Sequence, residues 1–237
     1  SENAFKFAKQ KVLDKQINKD LTIESHRLFN NMLSSMPMCF NLFSDLREEL
    51  LTHPDSVSKI IKDMFQELAW IEKVTYIDIE FIPVPIQDYT NDKSAFDAMI
   101  LVEHKEGKQG LISIETNYTD LLGADSSSRN DLKNLILKQQ KIFKKPLVSE
   151  LIEKGYKQIH RNYLLSYVYA KRNKFKYFAN VVISPKVDKG SIKEIEDLRK
   201  DLLQDPGTIL KISLENIIER GMEFDELGFD KLMRKFK

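Results

Sequence analysis

Two acidic side chains interrupt a pair of apolar segments in the middle of the chain. Asp97 lies within the apolar run 96–102, and Glu115 lies within the run 111–118. A carboxylate inside a buried strand is costly unless it is paired, hydrogen-bonded or bound to a metal. Two such acids on neighbouring strands predict a shared Mg²⁺ or Mn²⁺ ion, with the backbone carbonyl of Thr116 as a third oxygen ligand. The alternative is that both acids pair with basic side chains in the core.

A β-hairpin is the element that must bring the two acids together. The polar segment 106–110 contains two glycines and separates the apolar runs, which is typical of an antiparallel hairpin. Because side chains alternate between the two faces of a strand, Glu115 and Asn117 are expected on the same face. A cation held by Glu115 would therefore have Asn117 beside it.

The residues of this hairpin resemble the PD-(D/E)xK nuclease superfamily, whose core places an acid on one strand and E-x-K on the next. Asp97 matches the first acid, and 115–117 matches E-x-K with Asn117 in place of the lysine. The similarity is to the restriction-endonuclease-like branch of that superfamily. It is also visible in the segments MLSSMPMCFNLF at 32–43 and QIHRNYLL at 158–165.

The resemblance implies an α/β fold with a restriction-endonuclease-like αβββαβ core, in which helices flank a central mixed sheet. It also implies a Mg²⁺-dependent phosphodiesterase acting on DNA, with Asp97 and Glu115 as metal ligands. A further glutamate often completes such a site. Glu67, at the border of an apolar helical stripe, and Glu80, in the following strand, are both candidates. An ordinary solvated side chain is the alternative for Glu67.

The replacement of the motif lysine by Asn117 predicts weak or absent cleavage. A lysine adds positive charge beside the attacking water, whereas a neutral amide orients a water but supplies no charge. A charge from elsewhere in the chain would restore activity. The rival hypothesis, from a different functional class, is a catalytically degenerate nuclease fold that binds nucleic acid or another protein without cutting.

Basic residues are concentrated in the segment 129–176, where thirteen Lys and Arg stand against three Asp and Glu, although the whole chain has a net charge of +1. Such an excess attracts a polyanion, and a set of solvated helix faces is the alternative. Gln158 and Arg161 are three residues apart and share a predicted helical face. The resemblance implies that this helix supplies polar groups to the site, so these two residues and Lys157 are the expected DNA contacts. A surface ion pair is the alternative for Arg161.

Length and composition narrow the class of protein. A chain of 237 residues with 42% hydrophobic and 31% charged residues is typical of a globular protein. No apolar run approaches the roughly 20 residues of a transmembrane helix, and the charged start of the chain lacks the apolar core of a signal peptide. We therefore expect a cytoplasmic protein without membrane contact. The single cysteine, Cys39, excludes an internal disulfide and a cysteine-based zinc site.

Hydrophobic periodicity predicts the elements around the hairpin within one domain, 1–237. Helical segments 1–52 and 214–237 are expected to pack on its core. Predicted helices cover 5–20, 22–36 with Thr22 as cap and Pro37 as stop, 54–71, 131–143, 150–174 and 191–203. Predicted strands outside the hairpin cover 74–85, 177–184 and 207–213.

Overall fold

A five-stranded mixed sheet lies at the centre of the chain. A computed structural model describes residues 1–18, 23–31, 34–91, 93–118, 142–144, 157–202 and 208–222. The strands are β1 (Lys73–Phe81), β2 (Phe96–Glu103), β3 (Gln109–Thr116), β4 (Tyr177–Ser184) and β5 (Ile209–Ser213). They follow one another in space in the order β1-β2-β3-β4-β5, with β1 to β3 antiparallel and β3 to β5 parallel.

Helices cover both faces of this sheet. Those of the described segments are α1 (Glu2–Ile17), α2 (Ser25–Asn30), α3 (Ser35–Glu49), α4 (Pro54–Met64), α5 (Gln158–Arg172), α6 (Lys189–Asp201) and α7 (Leu214–Met222). On one face α3, α4 and α7 pack against the sheet, and α1 and α2 pack against α3. On the other face lie α5 and α6. Among the described helices, none is long and apolar enough to cross a membrane.

The predicted α/β fold is confirmed, because α4, β1, β2, β3, α5 and β4 follow the order αβββαβ of a restriction-endonuclease-like core. The hairpin is also as predicted, with β2 and β3 paired from Ala98 opposite Ile114 to Glu103 opposite Gln109. The central strands read as nearly continuous apolar runs because helices bury both of their faces.

The prediction that Pro37 ends a helix is wrong. Pro37 lies in the first turn of α3, which begins after Ser34, whose hydroxyl accepts a hydrogen bond from the N–H of Met36 at 3.3 Å. A proline is tolerated there because the N–H groups of a first turn have no acceptor within the helix. The predicted cap Thr22 lies outside the described residues, as do most of the predicted helix 131–143 and residues 150–156 of the next one.

Helix α4 ends at Met64, well before its predicted end at 71. Phe65, Leu68 and Ile71 are nevertheless all buried. Two successive turns repeat the three-residue spacing, closed by the N–H of Leu68 on the carbonyl of Phe65 at 2.8 Å and that of Ile71 on Leu68 at 3.1 Å. The apolar period therefore continues past the helix end, and Glu67 lies in a turn rather than on a helix.

Gly110 in β3 is expected to be essential for packing at the end of the sheet that carries Trp70. A Cβ atom at this position would lie 2.6 Å from the Trp70 ring, which is itself stacked on Tyr177 with ring centroids 5.5 Å apart. Gly110→Ala should lower the free energy of unfolding by about 1–3 kcal/mol, measured by urea denaturation. In a Trp70→Leu background the same change should cost less, and an equal cost there would refute the steric explanation.

Candidate active site

Glu115, at the end of β3, is held by two amide side chains from α5. The Nδ2 of Asn162 donates to one carboxylate oxygen at 2.6 Å, and the Nε2 of Gln158 donates to the other. The two donors are four residues apart, so they project from the same face of the helix. Glu115 is only 5% exposed, and both of its oxygens are satisfied by these contacts.

A buried polar network sets the position of α5 over the sheet. The hydroxyl of Ser166 donates to the carbonyl of Asn162 at 2.7 Å and lies 2.6 Å from the hydroxyl of Ser113 in β3. The Nδ2 of Asn180 in β4 donates to Ser113 at 3.1 Å and to Ser166 at 3.2 Å. A shift of α5 along its axis would leave buried polar atoms unpaired, which is costly in a low-dielectric interior. The network thus fixes where Gln158 and Asn162 meet Glu115.

Asp97 closes the open end of the hairpin. One of its carboxylate oxygens accepts hydrogen bonds from the backbone N–H and the hydroxyl of Thr116, both at 2.7 Å. The hydroxyl of Thr116 also lies 3.3 Å from the carbonyl of Ser35, at the start of α3. The backbone ladder between β2 and β3 stops at Ala98, so the side chain of Asp97 continues the pairing where the ladder ends.

Glu80 joins the two acids from β1 through an unusual backbone conformation. It falls opposite Asp97, because the residues on either side of Glu80 pair with those on either side of Asp97. Its φ is 52°, in the left-handed region, which costs a residue with a side chain about 1–2 kcal/mol. It is 8% exposed. The surrounding structure holds a strained acid against two others, a pattern common at functional sites.

The three acids perturb one another electrostatically. Burial raises the pKa of Glu115 well above its ordinary value, and the charges of Asp97 and Glu80 raise it further. The hydrogen bond from Gln158 and the charge of Arg161 act in the opposite direction. A cation next to these carboxylates would relieve the repulsion between them.

Cations from the N-terminal helices lie near the third acid. Burial and then the charge of Asp97 raise the pKa of Glu80 to about 8, while Lys11 of α1 and Arg27 of α2 lower it. Lys11 also forms an ion pair with Asp78, with Nζ and Oδ1 2.9 Å apart. Glu80, Asp97 and Glu115, which we call the acid cluster, therefore have basic side chains from separate helices near them.

Cys39 of α3 contacts the backbone of Asp97. Its thiol donates to the backbone carbonyl of Asp97 at 3.2 Å. Burial raises the pKa of this thiol well above its ordinary value, and the charges of Asp97, Glu80 and Glu115 raise it further. The thiol therefore stays protonated. Its closeness to the acids is not visible in the sequence.

Asn117 lies just beyond β3 and is bound to the start of α6. Its Nδ2 donates to Oδ2 of Asp188 at 3.1 Å and to Oγ of Ser191 at 3.0 Å, and its backbone N–H donates to the carbonyl of Ile183 at 2.8 Å. The side chain is 3% exposed. Sequence reasoning matched Asn117 to the position of the motif lysine but missed Asp188, because seventy-one residues separate the two.

The remaining sequence candidates differ in how they relate to the acids. Glu67 pairs with Arg220 of α7, whose two Nη atoms donate to its oxygens at 3.0 and 2.9 Å. The Nζ of Lys157 lies 2.7 Å from both carboxylate oxygens of Glu194. Arg161 is half-buried on α5 and close enough to Glu115 for its charge to act there. Of the two glutamates, Glu80 is therefore the one beside the hairpin acids.

The donor atoms of the cluster are carboxylate, carbonyl and hydroxyl oxygens, which suit a hard divalent cation. Such a cation would also offset the repulsion between the carboxylates. Within the described segments, no three His, Cys, Asp or Glu side chains are grouped so that they alone could hold an ion. An ion at Asp97 and Glu115 would therefore need backbone and water ligands as well. Mg²⁺ is commonly bound in this way, by one or two carboxylates and several waters.

The family model of the PD-(D/E)XK nuclease superfamily matches residues 1–236. No curated protein and no solved structure matched the chain. The matched range includes all the residues of the acid cluster.

The acid cluster should make the metal-free protein less stable as the pH rises. Because the pKa of Glu80 increases from 4.5 to about 8 on folding, the folded state binds this proton more tightly than the unfolded state. The free energy of unfolding should therefore fall as the pH rises from about 5 to 8. Glu80→Gln should flatten this fall and raise the Tm at alkaline pH, measured by thermal unfolding in EDTA.

Glu67→Gln is the matched control for this prediction. Burial raises the pKa of Glu67, but the hydrogen bond and charge of Arg220 outweigh it and the pKa lies below 4.5. Its charged form therefore stabilises the folded state at neutral pH, and the substitution should lower the Tm. Identical pH profiles for wild type and Glu80→Gln would contradict the electrostatic account.

Proposed function

Because the chain belongs to the PD-(D/E)XK nuclease superfamily, we propose that it is a metal-dependent phosphodiesterase that cleaves DNA. The observation that carries the proposal is the acid cluster at one end of the sheet. Asp97 and Glu115 lie at the ends of the neighbouring strands β2 and β3. Glu80 lies opposite Asp97 in β1, and its charge acts on Glu115. Gln158 and Asn162 of α5 donate to Glu115, and the charge of Arg161 from the same helix acts on it.

Asp97 and Glu115 are the proposed metal ligands, together with the carbonyl of Thr116. Glu80 is the proposed additional acid, since the charge of Asp97 acts on it and its own charge acts on Glu115. When bound, Mg²⁺ or Mn²⁺ polarises a phosphate and makes a bound water more acidic. Gln158 and Asn162 keep the carboxylate of Glu115 in one orientation, so that it need not reorganise during the reaction.

Arg161 is the proposed source of the positive charge that Asn117 lacks. It follows Gln158 by three residues on α5 and is therefore on the face of the helix that meets Glu115. Its charge acts on that carboxylate. A guanidinium also suits a phosphate, because its planar N–H groups bind two oxygens at once.

The proposed hydrolysis requires only water as co-reactant. A water oxygen forms a new bond to phosphorus, and the bond from phosphorus to the leaving sugar oxygen breaks. The water loses a proton to solvent, and the leaving oxygen gains one from solvent. Negative charge grows on the phosphate and on the leaving oxygen in the transition state, and Arg161 would stabilise it.

Nucleic acid is the proposed partner, and Lys157 and Gln158 are proposed contacts to its phosphates. Lys157 would exchange its present partner Glu194 for a phosphate. Most of the basic segment 129–176 lies outside the described residues. Its excess of positive charge supports binding to a polyanion, with counterion release as the driving force.

A second candidate function is binding of nucleic acid or protein without cleavage. It is favoured by the two amide donors that already occupy the oxygens of Glu115, and by the neutral Asn117 at the lysine position. Cleavage assays distinguish the two functions.

The cleavage prediction concerns the two proposed metal ligands. Wild-type protein with Mg²⁺ or Mn²⁺ should cut DNA, and Asp97→Ala and Glu115→Gln should each reduce the rate by about a hundredfold or more. Glu72→Gln is the matched control, since Glu72 pairs with Lys62 at the opposite end of β1. It should cut like the wild type. Equal cleavage by Asp97→Ala would reveal a contaminating nuclease, and DNA binding without cleavage by wild type would favour the second function.

The proposed role of Arg161 predicts a difference between its two replacements. Arg161→Gln should lower kcat by about tenfold or more, while Arg161→Lys should keep most of the rate because the charge remains. Arg161→Gln should also reduce the salt dependence of DNA binding by about one unit of slope, measured by fluorescence anisotropy.

Arg172→Gln, at the other end of the same helix, is the charge-matched control. Its guanidinium is 2.8 Å from the carboxylate of Asp88, so its loss should leave kcat unchanged. Equal rates for the wild type and Arg161→Gln would show that the charge comes from another residue.

A further inference from the structure

The amide of Asn117 has one defined orientation at the N-terminus of α6. Its two contacts are Oδ2 of Asp188 and Oγ of Ser191, at 3.1 and 3.0 Å. An ionised carboxylate only accepts hydrogen bonds, so the NH₂ group of Asn117 and not its oxygen must face Asp188. The neighbouring charge thus determines which way the amide points.

Asp188 is itself fixed as the N-cap of α6. Its Oδ1 accepts from the backbone N–H of Ser191 at 3.0 Å, and the hydroxyl of Ser191 donates to its Oδ2. Burial raises the pKa of Asp188, but the hydrogen bonds from Ser191 and the charge of Lys211 lower it below the ordinary value. The carboxylate of Asp188 is therefore ionised at neutral pH. It stays a hydrogen-bond acceptor for the Nδ2 group of Asn117.

This arrangement leaves the Oδ1 atom of Asn117 facing away from Asp188. The atom is buried, and no group in the described segments donates to it. An unsatisfied buried carbonyl destabilises the folded state, and a bound water relieves that cost. Asn117 and Glu115 contact α6 and α5, which lie on the same face of the sheet. The oxygen is therefore an acceptor on the face where the acid cluster holds Glu115.

We propose that Asp188 is a positioning residue that turns Oδ1 of Asn117 toward the water that attacks the phosphate. The inference rests on the proposed function. Oδ1 accepts a hydrogen bond from one O–H of that water, and this contact aims a lone pair of the water oxygen at phosphorus. The amide takes no proton, which passes to solvent as in the proposed hydrolysis. Asn117 thus keeps the orienting task of the motif lysine, and Arg161 supplies its charge.

Asp188→Asn tests the proposal because it changes one acceptor into a donor. The new side chain still caps α6 with its oxygen, since Asn and Asp cap about equally well. Its NH₂ group can no longer accept from Nδ2 of Asn117, so the amide of Asn117 should turn over and point its own NH₂ group at the water. We expect kcat for Mn²⁺-dependent cleavage to fall at least about tenfold, with KM, Mn²⁺ affinity and Tm nearly unchanged.

The exchanged variant Asn117→Asp/Asp188→Asn is the matched rescue. It keeps the total charge of the two positions and returns an acceptor oxygen to the active-site side, because the new amide at 188 donates to the new carboxylate at 117. It should recover most of kcat. A readout independent of activity is the side-chain amide signal of Asn117 in ¹⁵N NMR, whose protons should exchange slowly in the wild type and faster in Asp188→Asn.

The outcomes separate this inference from the proposed function. An active wild type with an unchanged kcat in Asp188→Asn overturns the role of Asp188 alone. A loss of kcat that accompanies an equal loss of Tm or Mn²⁺ affinity, or that the exchanged variant does not rescue, also overturns it and leaves Asp188 as a helix cap. Wild-type protein that cuts no DNA with either ion overturns the proposed function together with the role of Asn117.

Discussion

The burial of three carboxylates at one end of the sheet is the constraint on which the rest of the structure depends. An uncompensated buried charge is among the most costly features a fold can contain, so each acid needs specific partners. Glu115 obtains them from Gln158 and Asn162, which requires α5 to lie at one position along the sheet. The serine and asparagine network between α5, β3 and β4 supplies that position. The contacts that position α5 on the sheet therefore also determine the geometry of the site.

The same constraint connects stability with function. Burial raises the pKa of Glu115, and the charges of Asp97 and Glu80 raise it further, while Glu80 itself has a strained left-handed backbone conformation. A fold selected for stability alone would replace such a cluster by apolar side chains of similar volume. The cation that we propose at this site would compensate the charges of the acids. The charges of Lys11, Arg27 and Arg161 lower the pKa values of Glu80 or Glu115 but do not outweigh the effects that raise them.

Local patterns were sufficient for the elements that carry the site. Two apolar runs separated by a glycine-containing turn predict the hairpin, and the run 177–184 predicts β4, because both depend on contacts between near neighbours or on plain burial. Hydrophobic patterns predicted the wrong helix ends where two different conformations bury the same residues. The period of three in α4 continues into turns after Met64, and Pro37 fits the first turn of α3 as well as it would stop a helix.

The sequence by itself determined that Asp97 and Glu115 lie at the same end of adjacent strands, because strand alternation and hairpin pairing follow from residues close together in the chain. Only the tertiary structure decided that Glu80 rather than Glu67 joins them, since this depends on a left-handed residue in β1 and on the end of α4. It alone decided that Asn162 binds Glu115 and that Asp188 orients Asn117. Those contacts span 47 and 71 residues, and they exist only because helices dock at one register, which no local spacing encodes.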